Sequence, residues 1–223
     1  MQRMWWEQFR LMVDHRNTWR DSTEVFQRQL DLNKRQLELD PSSPDYPPHW
    51  KNFRELMMRA VLLVPIKRVL DIGCGCGAFS EILNRHYPHI EYTGMDYSKQ
   101  AIELARTTWN RNFKVKNLWD ITPEDVKGYD MIHSDGLFEV LPDGDKALKH
   151  ILSLGASSVF LNRVQNGPAP DHHKVYEAYG FLPTYSYFHN REGMLNCMGS
   201  KYKFPVEISN PPYSTFFLWG LKS

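Results

Sequence analysis

A glycine-rich loop that follows a short apolar segment constrains the fold of this 223-residue chain more than any other feature. Residues 68–72 are predicted to form a buried strand and residues 78–87 a helix, and Gly73, Gly75 and Gly77 lie between them. Glycine permits a tight turn and lets a ligand approach the backbone closely. The first turn of the following helix has unpaired amides that can face a negative group. The unit predicts a parallel sheet with a ligand at the carboxyl end of its first strand.

Strands and helices alternate after this loop. The other predicted strands are residues 90–95, 113–116, 129–134, 158–164, 204–208 and 214–222, and further helices are predicted at 99–110 and 145–154. The last two strands are joined by Asn210-Pro-Pro-Tyr213, and a hairpin there would place an antiparallel strand in the sheet. The alternation predicts an α/β fold with a doubly wound sheet of seven strands, which is mostly parallel and has one antiparallel strand near the C-terminus.

The first 64 residues have a different pattern. They carry many polar side chains with apolar residues at helical spacing, and a helix over residues 49–63 would end at Pro65. We predict a helical cap or lid over residues 1–64, a ligand-binding domain over 65–223, and a polar and aromatic insertion on the substrate side at 165–190. Trp5, Trp6 and Trp19 would suit a membrane-surface helix, but their surroundings are not strongly basic, which favours packing on the domain.

Composition narrows the possible partners. The 27 basic and 26 acidic residues nearly cancel, which argues against a dedicated nucleic-acid binder. The longest apolar run, residues 60–66, is too short to span a bilayer, and the N-terminus does not resemble a signal peptide. Three cysteines, two of them in one loop, do not form a disulfide framework. We expect a cytoplasmic protein with no nucleic-acid or membrane partner; a homodimer remains open.

Asp71 discriminates between the ligands that the loop could hold. The spacing of Gly73, Gly75 and Ala78 satisfies a loose dinucleotide fingerprint, which would suit an NAD-dependent oxidoreductase. A carboxylate at position 71 would, however, repel a pyrophosphate. S-adenosylmethionine has no phosphate and carries an ammonium and a sulfonium, so Asp71 suits it electrostatically. The residues of the loop therefore favour S-adenosylmethionine over NAD.

The segment Asp71–Gly77 resembles the first motif of class I S-adenosylmethionine-dependent methyltransferases, and the resemblance extends over residues 68–154. It implies a Rossmann-like fold. In this family an acidic residue at the end of the second strand chelates both ribose hydroxyls, which implies that role for Asp96. An aspartate after the third strand lies near the adenine amino group, which implies that place for Asp120. The predicted cofactor-binding residues are Asp71, Gly73, Cys74, Gly75, Gly77, Asp96, Tyr97, Trp119, Asp120 and Ser134, of which Tyr97 and Trp119 would flank the adenine.

One departure from the family pattern limits what can be transferred. Many members that act on small molecules have Glu-His just before Pro-Asp, whereas this chain has Glu139-Val140. Methyl transfer from a sulfonium mainly requires the acceptor lone pair to be held opposite the leaving sulfur. A general base is needed only when the acceptor carries a proton. The candidate bases are His133, Asp135, Glu139, His172 and His173, and we favour Asp135 together with His172 or His173 as the catalytic set.

We expect segments outside the core motif to select the substrate. Tyr46, Arg163 and Tyr213 are predicted to contact the acceptor, and we predict O-methylation of a small molecule such as a sugar, an acid or a natural-product intermediate. A carboxylate acceptor would need no base. Two alternatives remain: a non-catalytic S-adenosylmethionine-binding module, and a macromolecular N-methyltransferase, whose target nitrogen a segment like Asn210–Tyr213 would hold. The Cys74–Cys76 and His172–His173 pairs lack a full ligand set, so no metal is predicted.

Overall fold

The computed structural model describes His15, residues 17–20 and residues 22–222. The predicted helix that contains Phe9, Met12 and Val13 lies outside the described residues, as do Trp5 and Trp6. The described helices are α1 (Thr23–Leu37), α2 (Pro48–Leu63), α3 (Ala78–His86), α4 (Lys99–Thr108), α5 (Pro123–Val126), α6 (Gly144–Ser153) and α7 (Arg191–Lys201). The strands are β1 (Arg68–Ile72), β2 (Glu91–Asp96), β3 (Asn112–Val115), β4 (Met131–Asp135), β5 (Ser158–Gly167), β6 (His172–Ala178), β7 (Leu182–Asn190), β8 (Tyr202–Asn210) and β9 (Tyr213–Leu221).

The main sheet has the order β3-β2-β1-β4-β5-β9-β8. The first five strands are parallel, β9 is antiparallel to β5, and β8 is antiparallel to β9. The predicted α/β class, the mostly parallel sheet and the antiparallel strand near the C-terminus are therefore confirmed. Because β8 runs in the same direction as β5, the turn between β8 and β9 lies at the carboxyl edge of the sheet.

The sheet contains nine strands among the described residues, two more than the seven predicted. The additional pair, the β6–β7 hairpin, lies within the segment predicted as an insertion at 165–190. It joins the sheet where Asn166 and Gly167 of β5 pair with the end of β7. The composition of the segment obscured the pairing, because aromatic and polar residues are mixed along both strands and only part of β7 is buried.

Apolar residues pack against both faces of the sheet. Leu70, Ile132 and Leu161 belong to the cluster that includes α6 and α7, whereas Val69 and Phe160 belong to the cluster that includes α2 and α3. Alternation along the strands thus gives each face its own core, as expected for a sheet covered on both sides. No helix among residues 22–222 is both long and apolar enough to cross a membrane.

The two N-terminal helices pack differently. Trp50, Phe53 and Leu56 of α2 are fully buried in the same cluster as side chains of the sheet. In contrast, α1 packs over the glycine loop, where the thiol of Cys76 donates a hydrogen bond to the carbonyl of Phe26 at 3.2 Å. The boundary predicted at residue 64, and the role of the first 64 residues as a cap, stay predictions.

Candidate active site

A cavity of about 780 Å³ opens at the carboxyl edge of the sheet. The strand order reverses between β1 and β4, and ligands of open α/β sheets bind at such a switch point. The loops that follow β1, β2, β3 and β4 line the cavity, and α1 and the β6–β7 hairpin contribute further walls. Its volume lies within the roughly 300–1,000 Å³ that is typical of small-molecule sites.

The glycine loop forms one wall of the cavity through a backbone that only glycine adopts without strain. Gly75 has a φ of 51° and Gly77 a φ of 77°, both in the left-handed region. A Cβ on Gly77 would lie 2.5 Å from the ring of Phe113, and one on Gly75 would lie 2.7 Å from Oε1 of Gln29 on α1. The loop therefore requires glycine for its conformation and for its close packing.

Asp71 lines the cavity from the end of β1, but both of its oxygens also accept hydrogen bonds inside the protein. The hydroxyl of Tyr92 donates to Oδ2 at 2.6 Å, and Nδ1 of His133 lies 2.8 Å from Oδ1. Since a carboxylate can only accept, Nδ1 of His133 is the donor. These two buried donors orient the Asp71 carboxylate.

His133 was one of the candidate bases, and the structure places it away from the cavity. It is fully buried, and its ring packs against Phe53, Phe79 and Phe160 at centroid distances of 5.0, 4.5 and 5.8 Å. The register of the sheet explains its contact with Asp71, because the two residues are directly paired across β1 and β4. The predicted strands contain this pairing, but their register was not predicted.

Asp96 at the end of β2 is held by backbone amides. The amide of Gly75 donates to Oδ2 and the amide of Ser98 to Oδ1, each at 2.9 Å. Burial raises the pKa of Asp96 to about 6, although these hydrogen bonds act in the opposite direction. The carboxylate lines the cavity and keeps lone pairs that can accept from neighbouring hydroxyls of a ligand.

Most of the residues predicted to bind the cofactor line the cavity. Gly73, Cys74, Tyr97 and Trp119 line the cavity, together with the stretch 116–118, which sequence reasoning missed. Trp119 is 47% exposed, so its ring is available to a ligand.

Three predicted cofactor residues do not line the cavity. Gly77 is buried just before α3, and Asp120 is exposed at the end of a 3-10 turn. Ser134 is buried and uses its hydroxyl to donate to the carbonyl of Ile72 at 2.9 Å.

The opposite end of the cavity is built around an ion pair between β4 and β5. Nε and Nη2 of Arg163 donate to Oδ1 and Oδ2 of Asp135 at 3.0 and 2.7 Å. Arg163 has a φ of 55° and lies in a β-bulge of β5, which turns its side chain into the cavity. Burial acts to raise the pKa of Asp135, but the charge and hydrogen bonds of Arg163, together with the influence of His49 and His133, outweigh it and the pKa lies below its usual value.

Two further titratable side chains line this end, the candidate base Glu139 and His49. Burial raises the pKa of Glu139 to about 8, and Oε2 of this side chain has no hydrogen-bond partner among the described residues. Burial lowers the pKa of His49 to about 4, so this imidazole is neutral at physiological pH. Glu139 was predicted as a candidate base from its place beside Pro142-Asp143, whereas His49 was not predicted as an individual site residue.

The structure does not bring His172 and His173 into the cavity. Both are exposed on β6, where the ring of His172 stacks on Phe188 at 5.0 Å. The hairpin pairing is the physical reason, because it places residues 176–179 at the cavity and carries the start of β6 away from it. We therefore do not include the two histidines in the proposed catalytic set.

Two predicted substrate residues also lie outside the lining. Tyr46 is buried against Trp50, with ring centroids 5.7 Å apart. The hydroxyl of Tyr213 accepts a hydrogen bond from Nε2 of Gln165 at 2.7 Å, which holds the Asn210–Tyr213 turn against β5. Arg163 is thus the predicted substrate residue that lines the cavity.

No group of three or more His, Cys, Asp or Glu side chains in the described part of the chain could hold a metal ion. In the Cys74–Cys76 pair, burial raises the pKa of Cys76 to about 12, so its sulfur stays a thiol rather than the thiolate that ligates metals.

Known proteins that are similar in sequence to this chain are methyltransferases. Residues 70–157 match a family model described as a methyltransferase domain. The malonyl-[acyl-carrier protein] O-methyltransferase 1 of Ilyobacter polytropus is 31% identical over 90 residues, which is 39% of this chain and 33% of that protein. The ubiquinone biosynthesis O-methyltransferase of Coxiella burnetii is 32% identical over 93 residues, 40% of this chain and 38% of that protein. The matched segment thus spans less than half of these relatives.

Solved structures extend the likeness to most of the chain. The PH0226 protein of Pyrococcus horikoshii OT3 has a TM-score of 0.60 at 18% identity, covering 82% of this chain and 94% of that one. Magnesium protoporphyrin IX methyltransferase of Synechocystis PCC 6803, solved with S-adenosylhomocysteine, has a TM-score of 0.59 at 15% identity, covering 90% and 98%. At these identities the likeness shows the fold. This chain thus shares the Rossmann-like fold of these proteins, and its residues 70–157 are similar to a methyltransferase domain.

Proposed function

We propose that this protein transfers a methyl group from S-adenosylmethionine to an oxygen atom of a small molecule. One observation carries the proposal: a single cavity joins the acidic glycine-loop end, with Asp71 and Asp96, to a second end with Asp135, Glu139 and Arg163. The first end suits the cofactor and the second offers charged groups to an acceptor. A continuous cavity allows the two molecules to meet.

Charge and hydrogen bonding support the cofactor. Asp71 would face the positive charge of the methionine part, and its carboxylate is held in place by hydrogen bonds from Tyr92 and His133. Asp96, fixed by the amides of Gly75 and Ser98, would accept from the ribose hydroxyls. Tyr97 and Trp119 line the part of the cavity where the adenine would stack. A pyrophosphate would meet two carboxylates here, which disfavours NAD.

The walls of the cavity favour a small acceptor. Helix α1 and the β6–β7 hairpin contact each other, because Val25 packs with Ala178 and Leu182. Gln29 on the same helix accepts a hydrogen bond from the amide of Cys76 at 3.3 Å. The helix therefore connects the glycine loop to the hairpin and leaves a confined space rather than an open groove.

The relatives support oxygen as the methyl acceptor. The two curated proteins described above are both named O-methyltransferases, although they act on different molecules. The Asn210–Tyr213 turn does not line the cavity, so the residues of this chain give no support to N-methylation.

The reaction is an in-line displacement. The acceptor oxygen attacks the methyl carbon, the carbon–sulfur bond breaks, and the electron pair stays on sulfur. The main contribution of the protein is to hold the oxygen opposite the sulfur within the confined cavity. Arg163 and Asp135 would orient the acceptor from the second end.

Calorimetric titration with S-adenosylhomocysteine tests the cofactor assignment. The wild-type protein should bind, and Asp96→Asn should bind at least roughly tenfold more weakly, because a hydrogen bond to a charged group contributes about 1.5–3 kcal/mol. Wild-type affinity should also fall as the pH drops through about 6, where Asp96 takes up a proton, and this dependence should vanish in D96N. The exposed Glu103→Gln on α4 serves as the control and should leave the affinity unchanged. Absent binding by the wild type, or tight binding of NADH, would contradict the assignment.

A further inference from the structure

Glu139 is an acidic side chain in the cavity whose hydrogen-bonding capacity the fold does not satisfy. Its Oε2 is buried and has no hydrogen-bond partner among residues 22–222 or the other described positions. Its Oε1 lies on the side of Gly136, where an added Cβ would be 3.1 Å away. Buried polar atoms in proteins nearly always have a partner, and an isolated one is costly. The unpartnered oxygen therefore points to a ligand that donates a hydrogen bond.

The neighbouring groups do not neutralise Glu139 as an ion pair would. Arg163 on β5 gives two of its donors to Asp135 at the end of β4, so its charge is already compensated. The charge of Asp135 acts to raise the pKa of Glu139 and that of Arg163 acts to lower it, while Glu139 in turn acts to raise the pKa of Tyr176 on β6. Beyond them, His49 on α2 and Tyr213 on β9 face the Asp135–Arg163 pair. With Glu139 ionised, the described group of Asp135, Arg163 and Glu139 carries one net negative charge.

Resting on the proposed function, we infer that Glu139 is the general base of the reaction and that the acceptor is an uncharged alcohol or phenol. The hydroxyl of such an acceptor would donate to Oε2 and supply the missing partner. A carboxylate acceptor would instead bring a further negative charge beside Asp135 and Glu139, while Arg163, the arginine in the described lining, is already paired. The geometry thus selects a hydroxyl group over an acid.

The chemical step is balanced without any other reactant. The hydroxyl proton passes to Oε2 of Glu139 as the acceptor oxygen forms its bond to the methyl carbon. The carbon–sulfur bond breaks and sulfur keeps the electron pair. The products are a methyl ether, neutral S-adenosylhomocysteine and protonated Glu139. The sulfonium and the carboxylate lose their charges together, which a site that buries both groups favours.

The pH dependence of the rate distinguishes an ionised Glu139 that acts as a base from a protonated Glu139 that acts as a hydrogen-bond donor. Burial raises the pKa of Glu139 to about 8, close to the operating range of a general base. As a base, Glu139 must be ionised, so kcat/KM for a hydroxyl acceptor should rise as the pH increases through about 8 and then level off. If protonated Glu139 instead donated a hydrogen bond to a carboxylate acceptor, activity would fall over the same range.

The test uses the full-length protein and matched probes. Transfer from methyl-labelled S-adenosylmethionine is measured with catechol, benzyl alcohol, methyl glucoside, benzoate and malonate, and binding of catechol and benzoate is measured on the protein loaded with S-adenosylhomocysteine. We expect reaction or binding with hydroxyl probes only. Glu139→Gln should reduce kcat for such a probe by roughly 10²–10⁴-fold and abolish the inflection near pH 8, since general-base catalysis contributes on that scale. Its affinity for S-adenosylhomocysteine should stay unchanged, as should all properties of the exposed control Glu124→Gln.

The outcomes separate this inference from the proposed function. If the wild type does not bind S-adenosylhomocysteine, the proposed function itself fails. If it binds and then methylates or holds benzoate or malonate in preference to the hydroxyl probes, Glu139 is not the base inferred here. Full activity of E139Q, a rate that falls as the pH rises through 8, or failure of every hydroxyl probe both to bind and to react would equally overturn the inference.

Discussion

The two ends of the cavity are built in different ways. The cofactor end consists mainly of backbone, because Gly75 and Gly77 shape the loop and its amide groups position Asp96. The acceptor end consists of side chains brought together from distant parts of the chain, with Asp135 and Arg163 joined across two strands. A backbone site is determined locally and suits a ligand shared by a large family. A side-chain site can change without altering the fold, which suits selection of an individual acceptor.

The largest effect should come from the cofactor end. Gly77→Ala should lower the free energy of unfolding by about 1–2 kcal/mol through its left-handed backbone and by about 1–3 kcal/mol more through the collision with Phe113. Binding of S-adenosylhomocysteine should be lost. Gly155→Ala is a matched control, because Gly155 has a φ of 79° and no atom within 4 Å of an added Cβ. Chemical denaturation should show for G155A only the loss of about 1–2 kcal/mol that comes from the left-handed backbone. Equal losses of stability in the two variants would show that close packing at the loop is unimportant.

A substitution at the acceptor end should reduce methyl transfer more than it reduces cofactor binding. Arg163→Met should abolish most methyl transfer, because it removes the cation that orients Asp135, while leaving the affinity for S-adenosylhomocysteine nearly unchanged. The pair is partly exposed, so the stability loss should be about 1–2 kcal/mol, below the roughly 3–5 kcal/mol of a fully buried pair.

The matched control for this substitution is Arg191→Met. Arg191 makes a comparable bidentate pair with Glu207, is exposed to the same 38%, and does not line the cavity. We expect R191M to lose similar stability and to keep full turnover, as measured by thermal unfolding and labelled transfer. If both variants lose turnover equally, the effect of Arg163 is structural.

The smallest effect on stability and cofactor binding should come from the residues that donate hydrogen bonds to Asp71. Tyr92→Phe removes one of its two donors and should cost about 1 kcal/mol of stability and several-fold in affinity for S-adenosylhomocysteine. Tyr202→Phe is the control, since its buried hydroxyl donates to the carbonyl of Ala156 at 2.9 Å, away from the cavity. Y202F should lose comparable stability with no change in affinity. An unchanged affinity in Y92F would show that Tyr92 is not a positioning residue for Asp71.

The contrast between the two ends also explains how far the sequence could be interpreted. The strand before the glycines, the positive-φ loop and the carboxylate at the end of the next strand are local features, and the sequence predicted all of them with their places in the fold. The antiparallel β9 was likewise predictable, because its apolar run and the turn before it lie close together in the chain.

The acceptor end could be predicted only in part. Arg163 enters the cavity because β5 has a bulge, and no local pattern marks that irregularity. His172 and His173 were favoured because adjacent histidines in a polar segment resemble an active-site loop, but hairpin pairing between β6 and β7 turned them outward. His49 contributes from a helix more than a hundred residues away in sequence from its neighbour Arg163, a contact of the kind that only the tertiary structure shows.

The most direct measurement is a crystal structure of the protein with S-adenosylhomocysteine. We expect the ribose hydroxyls on the carboxylate of Asp96, the adenine between Tyr97 and Trp119, and the sulfur facing the end of the cavity that holds Glu139 and Arg163. A ligand bound elsewhere, or a sulfur that points away from Glu139 and Arg163, would contradict the assignment of this cavity as a methyl-transfer site.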